Sequence, residues 1–248
     1  MFDFFSTELF HYVCIAAHFG SFISLVLFMS IDNLVSTDGK MQLYILKAQE
    51  GAEFLGYEME PWWNPSIFGF LAAFAGITAM FHIYYVMTIN THDSTIRFLE
   101  YFFTASIMSI VIAILVGIRD VYSLIGIEGA IATTMIFGYL EESTTNVPLM
   151  FRPYFLGYVP YLVAWIPITW QFIRVAIENS ELPWFVIAIF AVEMALFSCF
   201  GLVQYIYVVL PGEVSKPIEM EGAYNLLSLT SKMLLIWLCV SGIVAQAS

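Results

Sequence analysis

Charged side chains are scarce in this chain of 248 residues, and basic side chains are the scarcest. Only 11% of the residues are charged, whereas 60% are hydrophobic and 17% are aromatic. The mean hydropathy is +0.84, which lies outside the range of ordinary soluble domains. Eight lysines and arginines stand against 20 acids, and the resulting net charge of -12 disfavours nucleic acid as a partner. The composition therefore predicts an integral membrane protein embedded in a lipid bilayer.

The sequence also lacks the usual signatures of an enzyme. Its three cysteines, Cys14, Cys199 and Cys239, stand in apolar runs and have no metal-ligand spacing. There is no nucleophile elbow, and the scattered glycines form neither a phosphate loop nor a dinucleotide fingerprint. We therefore predict no enzyme and no metal site, and we interpret residues 1–248 as a single domain.

What the chain has in abundance is long apolar segments. Each is near or above the roughly 20 residues that a membrane-spanning helix needs. Seven such segments predict an all-α bundle of seven transmembrane helices, with the two termini on opposite sides of the membrane. The segments are 9–30, 66–90, 96–118, 121–140, 153–176, 182–210 and 223–246.

The connection between the first two predicted helices, residues 31–65, is much longer than the others. It contains apolar and β-branched residues that favour a short β-hairpin packed over the mouth of the bundle or against another subunit. The residues that favour it are Val35, Leu43, Tyr44, Ile45 and Leu46.

Three ionisable residues, Glu100, Glu193 and Lys232, stand deep in the apolar segments, where an unpaired charge costs several kcal/mol. We define side one as the membrane side at which the third helix begins, and side two as the opposite side. At about 1.5 Å of rise per residue, Glu100 lies in the side-one half, within reach of Lys232 at mid-membrane. An ion pair between the third and seventh helices is therefore predicted, whereas Glu193 lies toward side two.

Two histidines fall at similar depth in the side-one half, His18 on the first helix and His82 on the second. Thr104 follows Glu100 by one helical turn and Ser228 precedes Lys232 by one turn, so each places a hydroxyl on the same face. These polar residues are predicted to surround the amine of Lys232.

Structural roles also account for these residues. A buried Glu100–Lys232 pair can simply hold two helices together, and a lone histidine on an apolar face is more often a satisfied core residue than a functional one. Glu193 can be a neutral carboxyl hydrogen-bonded to Ser198 or to a backbone carbonyl.

A lysine at mid-membrane on the last of seven helices is the arrangement of retinal proteins, in which the amine forms a Schiff base with the aldehyde. Several local motifs match at once, from the first helix to the last, and the chain closely resembles the heliorhodopsins. The motifs are Ala79-Met-Phe-His82, Arg97-Phe-Leu-Glu100-Tyr101, Phe137-Gly-Tyr-Leu-Glu141, Leu202-Val-Gln-Tyr205 and Leu227-Ser-Leu-Thr-Ser-Lys232.

The resemblance implies a rhodopsin bundle that binds all-trans-retinal on Lys232, with Glu100 as the counterion. It also implies that Ser228 and Thr104 are polar neighbours of the Schiff base, and that His18 and His82 line a hydrated cavity beside the counterion. Further positions implied to form the retinal pocket are Tyr101, Thr134, Gly138, Trp165, Phe197, Gln204 and Trp237.

By the same resemblance the N-terminus is cytoplasmic and the C-terminus extracellular. The loop 31–65 is then extracellular, and its hairpin contributes to a homodimer. Glu193 departs from the family pattern, in which the matching position is usually aliphatic. A carboxylic acid there can complete a path for protons on the extracellular side.

Three classes of function follow. The leading hypothesis is a light receptor that transfers a proton from the Schiff base and signals to a partner through a slow conformational change. The second is a light-activated proton channel or transporter with Glu193 as its gate. The third is a cofactor-free seven-helix scaffold or transporter, which predicts no visible absorption after addition of retinal.

Overall fold

The structure is a computed structural model that describes residues 3–30, 40–48, 57–88, 94–144, 147–178, 182–209 and 217–247. Within these ranges, seven helices are long and apolar enough to cross a membrane, which confirms the predicted all-α seven-helix fold. The helices are α1 Glu8–Met29, α2 Ile67–Met87, α3 Ser94–Leu115, α4 Val121–Glu142, α5 Val147–Glu178, α6 Trp184–Val209 and α7 Pro217–Ala247.

Side chains and tight turns fix where several helices begin and end. The hydroxyl of Thr7 accepts from the backbone N–H of Phe10 and caps α1 (3.3 Å), and Asp120 caps α4 through the N–H of Ser123 (2.8 Å). After α3 the chain turns at Gly117, whose φ of 100° favours a residue without a Cβ atom. These local signals set the lengths of the first and fourth helices close to those predicted.

Two helices are longer at side one than the apolar runs predicted. The fifth was predicted over 153–176 and the seventh over 223–246, but α5 begins at Val147 and α7 at Pro217. The residues added to α7 include Glu219 and Glu221, where the apolar pattern has ended but the helix continues. The residues added to α5 are mostly apolar, and Arg152, which separates them from the predicted run, does not interrupt the helix. A proline suits the first position of a helix, because the N–H that it lacks would have no acceptor within the helix.

The first loop contains the predicted hairpin, formed by β1 Leu43–Ala48 and β2 Tyr57–Trp63 in antiparallel register. It is attached to the α3–α4 connection by a hydrogen bond from the N–H of Tyr44 to the carbonyl of Arg119 (3.0 Å). Val35, which was also predicted to join the hairpin, lies outside the described residues.

The interior of the bundle differs between its two halves. The side-two half is packed with fully buried apolar side chains, such as Leu71 on α2, Ile112 on α3 and Ile189 on α6. The side-one half contains buried polar groups, including Glu100 and His82. In the described part of the chain, buried acidic, basic and histidine side chains are therefore concentrated between Lys232 and side one, and Glu193 is an exception in the apolar half.

Candidate functional site

Lys232 lies midway along α7 and only 2% of its surface is exposed. Its Nζ atom donates to Oε1 of Glu100 on α3, and the two side chains form a buried ion pair. Burial of both partners makes the pair far less screened than a surface ion pair. The structure thus brings together the two residues that the sequence predicted to meet across α3 and α7.

Two residues of α3, one adjacent to Glu100 and one a turn after it, complete the immediate surroundings of the pair. The Nζ atom of Lys232 lies 5.3 Å from the centre of the Tyr101 ring, within the range of a cation–π contact. The hydroxyl of Thr104 donates to the backbone carbonyl of Glu100 (3.0 Å), a bond within α3. The lone pairs of the Thr104 hydroxyl oxygen therefore remain available to accept from neighbouring groups.

A cavity of about 190 Å³ lies beside the amine, enclosed by α3, α4, α5, α6 and α7. Much of its wall is aromatic, and Lys232 is part of that wall. Eight of the predicted residues line it: Tyr101, Thr104, Thr134, Gly138, Phe197, Gln204, Ser228 and Lys232.

Gly138 matters to the size of this cavity. A Cβ atom at that position would lie 2.4 Å from the ring of Phe98, which also lines the cavity. Any larger residue there would therefore force the ring of Phe98 to move, and this movement would change the wall of the cavity.

The two tryptophans predicted at the retinal pocket do not line this cavity. Trp165 is buried and contacts Phe197 edge to face with 5.3 Å between ring centres, one layer behind the cavity wall. Trp237 is 44% exposed and is not part of the wall. The sequence pattern correctly placed Trp165 in the fifth helix and Trp237 in the seventh, but it did not determine which face of its helix each residue occupies.

Both predicted histidines are buried beside Glu100, and they are joined by a third that the sequence analysis did not assign. His18 and His82 stack with 5.9 Å between their ring centres, and Nδ1 of His82 lies 2.9 Å from Nδ1 of His11. His11 precedes His18 by seven residues, which places them on the same face of α1. That spacing is a signal from which His11 could have been identified.

Tyr85 is a second residue that the sequence analysis missed. Its hydroxyl donates to Oε2 of Glu100 (2.8 Å), and its ring lies 5.4 Å from both His11 and His82. It follows His82 by three residues on α2, so helical periodicity places it on the same face. Tyr85 therefore connects the carboxylate to the histidine cluster.

Glu193 is fully buried in α6, and neither of its carboxyl oxygens has a hydrogen-bond partner among the described residues. The alternative of a bond to Ser198 does not match the structure, in which Ser198 donates to the carbonyl of Met194 (2.8 Å). Because buried polar groups are nearly always satisfied, an unpartnered carboxyl is unusual and requires an explanation.

A further ionic cluster closes the cavity at side one. Arg97 is buried; it donates to Glu142 at 2.5 and 2.6 Å and forms an ion pair with Glu221. Gln204 donates to Glu142 (3.2 Å) and to Glu141 (3.1 Å). The cluster ties α3, α4, α6 and α7 together directly above the cavity. In the sequence Arg97 is recognisable only as part of a motif, and no pattern in the chain predicts this network.

No three histidine, cysteine or acidic side chains within the described ranges are arranged to hold a metal ion. The chemistry that the arrangement offers is therefore that of a buried primary amine, its carboxylate partner, and a row of imidazole and phenol groups leading toward side one.

Comparison with a model of the heliorhodopsin family gives a match over residues 9–244. No curated protein matches the chain.

Solved structures of microbial rhodopsins share the fold. A thermophilic rhodopsin superimposes with a TM-score of 0.73 at 12% identity, over 99% of this chain and 95% of the other. Xanthorhodopsin, described as a light-driven ion pump with a dual chromophore, superimposes with a TM-score of 0.74 at 11% identity, over 99% of this chain and 94% of the other. The rhodopsin of Exiguobacterium sibiricum superimposes with a TM-score of 0.66 at 12% identity, over 96% of each chain. At such low identity the likeness establishes the fold alone.

Proposed function

Because this chain belongs to the heliorhodopsin family and is a retinal-binding, light-sensing rhodopsin of the membrane, we propose that it is a light receptor in which Lys232 carries all-trans-retinal and Glu100 is the counterion. Light absorption drives loss of the proton on Lys232 Nζ, and a slow rearrangement of the helices then signals to a partner protein. We assign no enzymatic reaction to it.

The cavity residues fit this cofactor. Retinal supplies visible absorption and light-driven isomerisation, and its aldehyde condenses with a lysine amine to form a Schiff base. The chain offers that amine at the wall of an aromatic cavity, and Gly138 preserves space in which a Cβ atom would clash with Phe98. Tyr101, Thr134, Phe197, Gln204 and Ser228 would contact the chromophore, and Thr104 would lie near the amine.

The observation that carries the proposal is the buried pair of Lys232 and Glu100. A carboxylate hydrogen-bonded to Nζ stabilises a positive charge there and is also the nearest base to its proton. A purely structural pair would need neither the adjoining cavity nor the polar row behind Glu100. The amine, the cavity and the proton acceptors together favour a photoreceptor over a scaffold.

Addition of all-trans-retinal to the purified protein tests this function. We expect a visible absorption band that Lys232→Ala abolishes and that Lys47→Ala, a change at an exposed lysine of the hairpin, leaves intact. If the wild-type protein gave no visible band, the scaffold hypothesis would replace ours.

The orientation and assembly are part of the proposal. We place side one, with the N-terminus, in the cytoplasm, and the hairpin outside. The hairpin exposes Leu46 and Met59 opposite each other on one face, a small apolar surface suited to a second copy of the chain. Light scattering of the purified protein should give the mass of a dimer, and Leu46→Glu should reduce it to that of a monomer, whereas Lys47→Gln should not.

A second candidate function is light-activated proton conduction with Glu193 as the gate. The supporting observation is that Glu193 is fully buried yet unpartnered among the described residues, on the opposite side of Lys232 from Glu100. An acid kept there at a cost in stability offers a proton-binding site in an otherwise apolar half.

Voltage-clamp recording separates the two functions. Light-evoked currents that Glu193→Gln abolishes would support conduction. Absence of current at every holding potential would remove conduction and leave the receptor function. Currents unchanged by Glu193→Gln would remove the role of Glu193 as gate.

A further inference from the structure

His11 is a buried ionisable residue that the proposed function does not yet use. It lies in the first turn of α1, about 4.5 Å of helix rise from the start of that helix, whereas His18 lies roughly 15 Å in. Its Nδ1 atom is 2.9 Å from Nδ1 of His82, and both side chains are at least 95% buried. His11 is thus the member of the histidine cluster on α1 that is nearest to side one.

We propose that His11 and His82 form a two-imidazole relay that accepts the proton released from Lys232 Nζ, with His11 as its terminal carrier. The inference rests on the proposed function, because Lys232 is the source of the proton. What it adds is a specific chemical path and a residue, His11, at the end of it.

The contact between the two rings dictates how protons are distributed. Two imidazole nitrogens at hydrogen-bond distance require one to carry a proton and the other to present a lone pair. When Nδ1–H of His82 donates to Nδ1 of His11, the other proton of His11 is on Nε2. Nε2 of His82 then has a free lone pair, and it is a buried atom without a hydrogen-bond partner in the described part of the chain. That atom is the entry point for a proton.

The groups around the relay connect it to Glu100. Tyr85 donates to Glu100 and contacts both rings of the relay. His18, which lies on α1, stacks on the ring of His82 on α2. The path therefore begins at the counterion and leads toward side one.

Each transfer conserves atoms and charge. The N–H bond of Lys232 breaks as an O–H bond forms on Glu100. That O–H bond then breaks as an N–H bond forms at Nε2 of His82, which becomes an imidazolium. The Nδ1–H bond of His82 then breaks as an N–H bond forms at Nδ1 of His11. The positive charge now resides on His11, which holds protons on both nitrogens.

This arrangement favours temporary storage over continuous flow. If His11 lost its Nε2 proton at side one, the bond between the rings would be left reversed, with His11 as donor and His82 Nε2 protonated. A second proton could not enter until both rings had been reset. Return of the stored proton to Lys232 by the same path restores the starting state without any reset, as a receptor with a closed cycle requires.

The relay can be tested first without light. In protein labelled with ¹⁵N-histidine, with or without retinal, a proton shared by two nitrogens produces a scalar coupling across the hydrogen bond. We expect that coupling in the wild type and its loss in His11→Phe and His11→Asn. Under illumination of the retinal-bound protein, the ¹⁵N signals of His11 should move to imidazolium positions.

Flash photolysis gives the second measurement, the lifetime of the near-ultraviolet absorption that reports a deprotonated Lys232 Nζ. Without His11 the proton stays closer to the amine, so we expect this state to decay about tenfold faster in both His11 variants. The matched control is Tyr12→Phe, a change at the exposed neighbour of His11 on α1, and it should leave the lifetime unchanged.

The asparagine variant separates proton carriage from hydrogen bonding, because an amide makes hydrogen bonds but cannot hold the extra proton. A wild-type lifetime in both His11 variants, or absence of the coupling in the wild type, would overturn the relay. If one His11 variant failed to fold, the lifetime of the other variant and the ¹⁵N spectra of the wild type would still test the relay. A wild-type protein that formed no visible pigment would instead overturn the proposed function, a failure recognised before any flash.

Discussion

The hydroxyl of Tyr85 on α2 donates to one carboxylate oxygen of Glu100 on α3, and the other oxygen of that carboxylate accepts from Lys232 on α7. The negative charge of Glu100 is therefore shared between a neutral donor and a cationic one. Any change in one of these bonds alters how much negative charge faces Lys232 Nζ, and the colour of a retinal pigment depends on that charge.

Neutralising the counterion should shift the absorption of the pigment to the red. Glu100→Gln removes the anion that stabilises a positive charge on Lys232 Nζ, so the charge spreads further along the chromophore. A larger fraction of the pigment should also lose its proton at neutral pH. Absorption spectra of the retinal-bound variant measure both effects. Spectra unchanged from the wild type would mean that another carboxylate serves as counterion.

Removing the phenol hydroxyl should shift the absorption in the opposite direction. In Tyr85→Phe the carboxylate loses a hydrogen bond, so its negative charge is concentrated toward Lys232 and the positive charge is held more tightly at Nζ. We expect a blue shift that is smaller than the red shift of Glu100→Gln. Tyr84→Phe, an exposed neighbour on α2, should leave the spectrum unchanged. A red shift in Tyr85→Phe would show that this bond does not act through the counterion.

Two glycines on α4 allow a matched test of the cavity. A Cβ atom at Gly138 would meet the ring of Phe98 at 2.4 Å, whereas a Cβ atom at Gly129 would have nothing within 4 Å. Gly138→Ala should therefore reduce the amount or rate of pigment formation, because Phe98 is forced to move and the wall of the cavity that retinal needs is changed. Gly129→Ala should form pigment as the wild type does. Equal pigment formation by the two variants would place the chromophore elsewhere.

Loss of Arg97 should strongly destabilise the bundle. The arginine is 4% exposed and faces Glu142 and Glu221, so Arg97→Gln leaves the buried carboxylate of Glu142 and the partly exposed one of Glu221 without their cation. Breaking a buried ion pair from one side typically costs about 3–5 kcal/mol. Thermal unfolding in detergent measures the loss.

An exposed arginine provides the control for that experiment. Arg174 pairs with Glu178 on α5, and both side chains are 61% exposed. A helical pair of this kind contributes roughly 0.3–0.5 kcal/mol, so Arg174→Gln should have little effect. Similar losses in the two variants would contradict a stabilising role for the buried network.

The sequence was sufficient to predict the seven helices and the pairing of Glu100 with Lys232, because hydropathy determines which segments span a membrane and helical rise determines depth. It was not sufficient to predict orientation about each helix axis. Trp237 illustrates this limit: Ser228 and Lys232 indicate one inward face of its helix, but the apolar residues on either side of that face carry no signal of how far burial extends. The structure places it 44% exposed.

Residues near helix ends were missed for a different reason. Arg97 and His11 lie within the first turns of α3 and α1, where charged and polar side chains usually face water or lipid headgroups. Only the packing of the helix ends against α4, α6 and α7 in the first case, and against α2 in the second, buries them. Contacts of that kind link residues far apart in the chain, such as Arg97 and Glu221, and no local pattern encodes the partner. For His11, the seven-residue spacing to His18 indicates a shared face of α1 but not the contact with His82.

Glu193 offers a test of whether a residue is retained for function at the expense of stability. Its carboxyl is fully buried without a hydrogen-bond partner among the described residues, so it contributes a desolvation cost with no compensating bond. Glu193→Leu, a change to an apolar side chain of similar size, should raise the free energy of unfolding by about 1–3 kcal/mol. Glu128 on α4 is exposed, and Glu128→Leu should change stability much less.

Thermal unfolding of the wild type, Glu193→Leu and Glu128→Leu in detergent measures the differences in stability. Light-evoked currents from the same three proteins show whether the change in stability accompanies a loss of proton conduction. A more stable Glu193→Leu protein that has lost its currents would identify the acid as a proton-binding site maintained against its structural cost. A less stable Glu193→Leu protein would mean that the carboxyl makes a stabilising interaction after all, and its burial would then give no support to proton conduction.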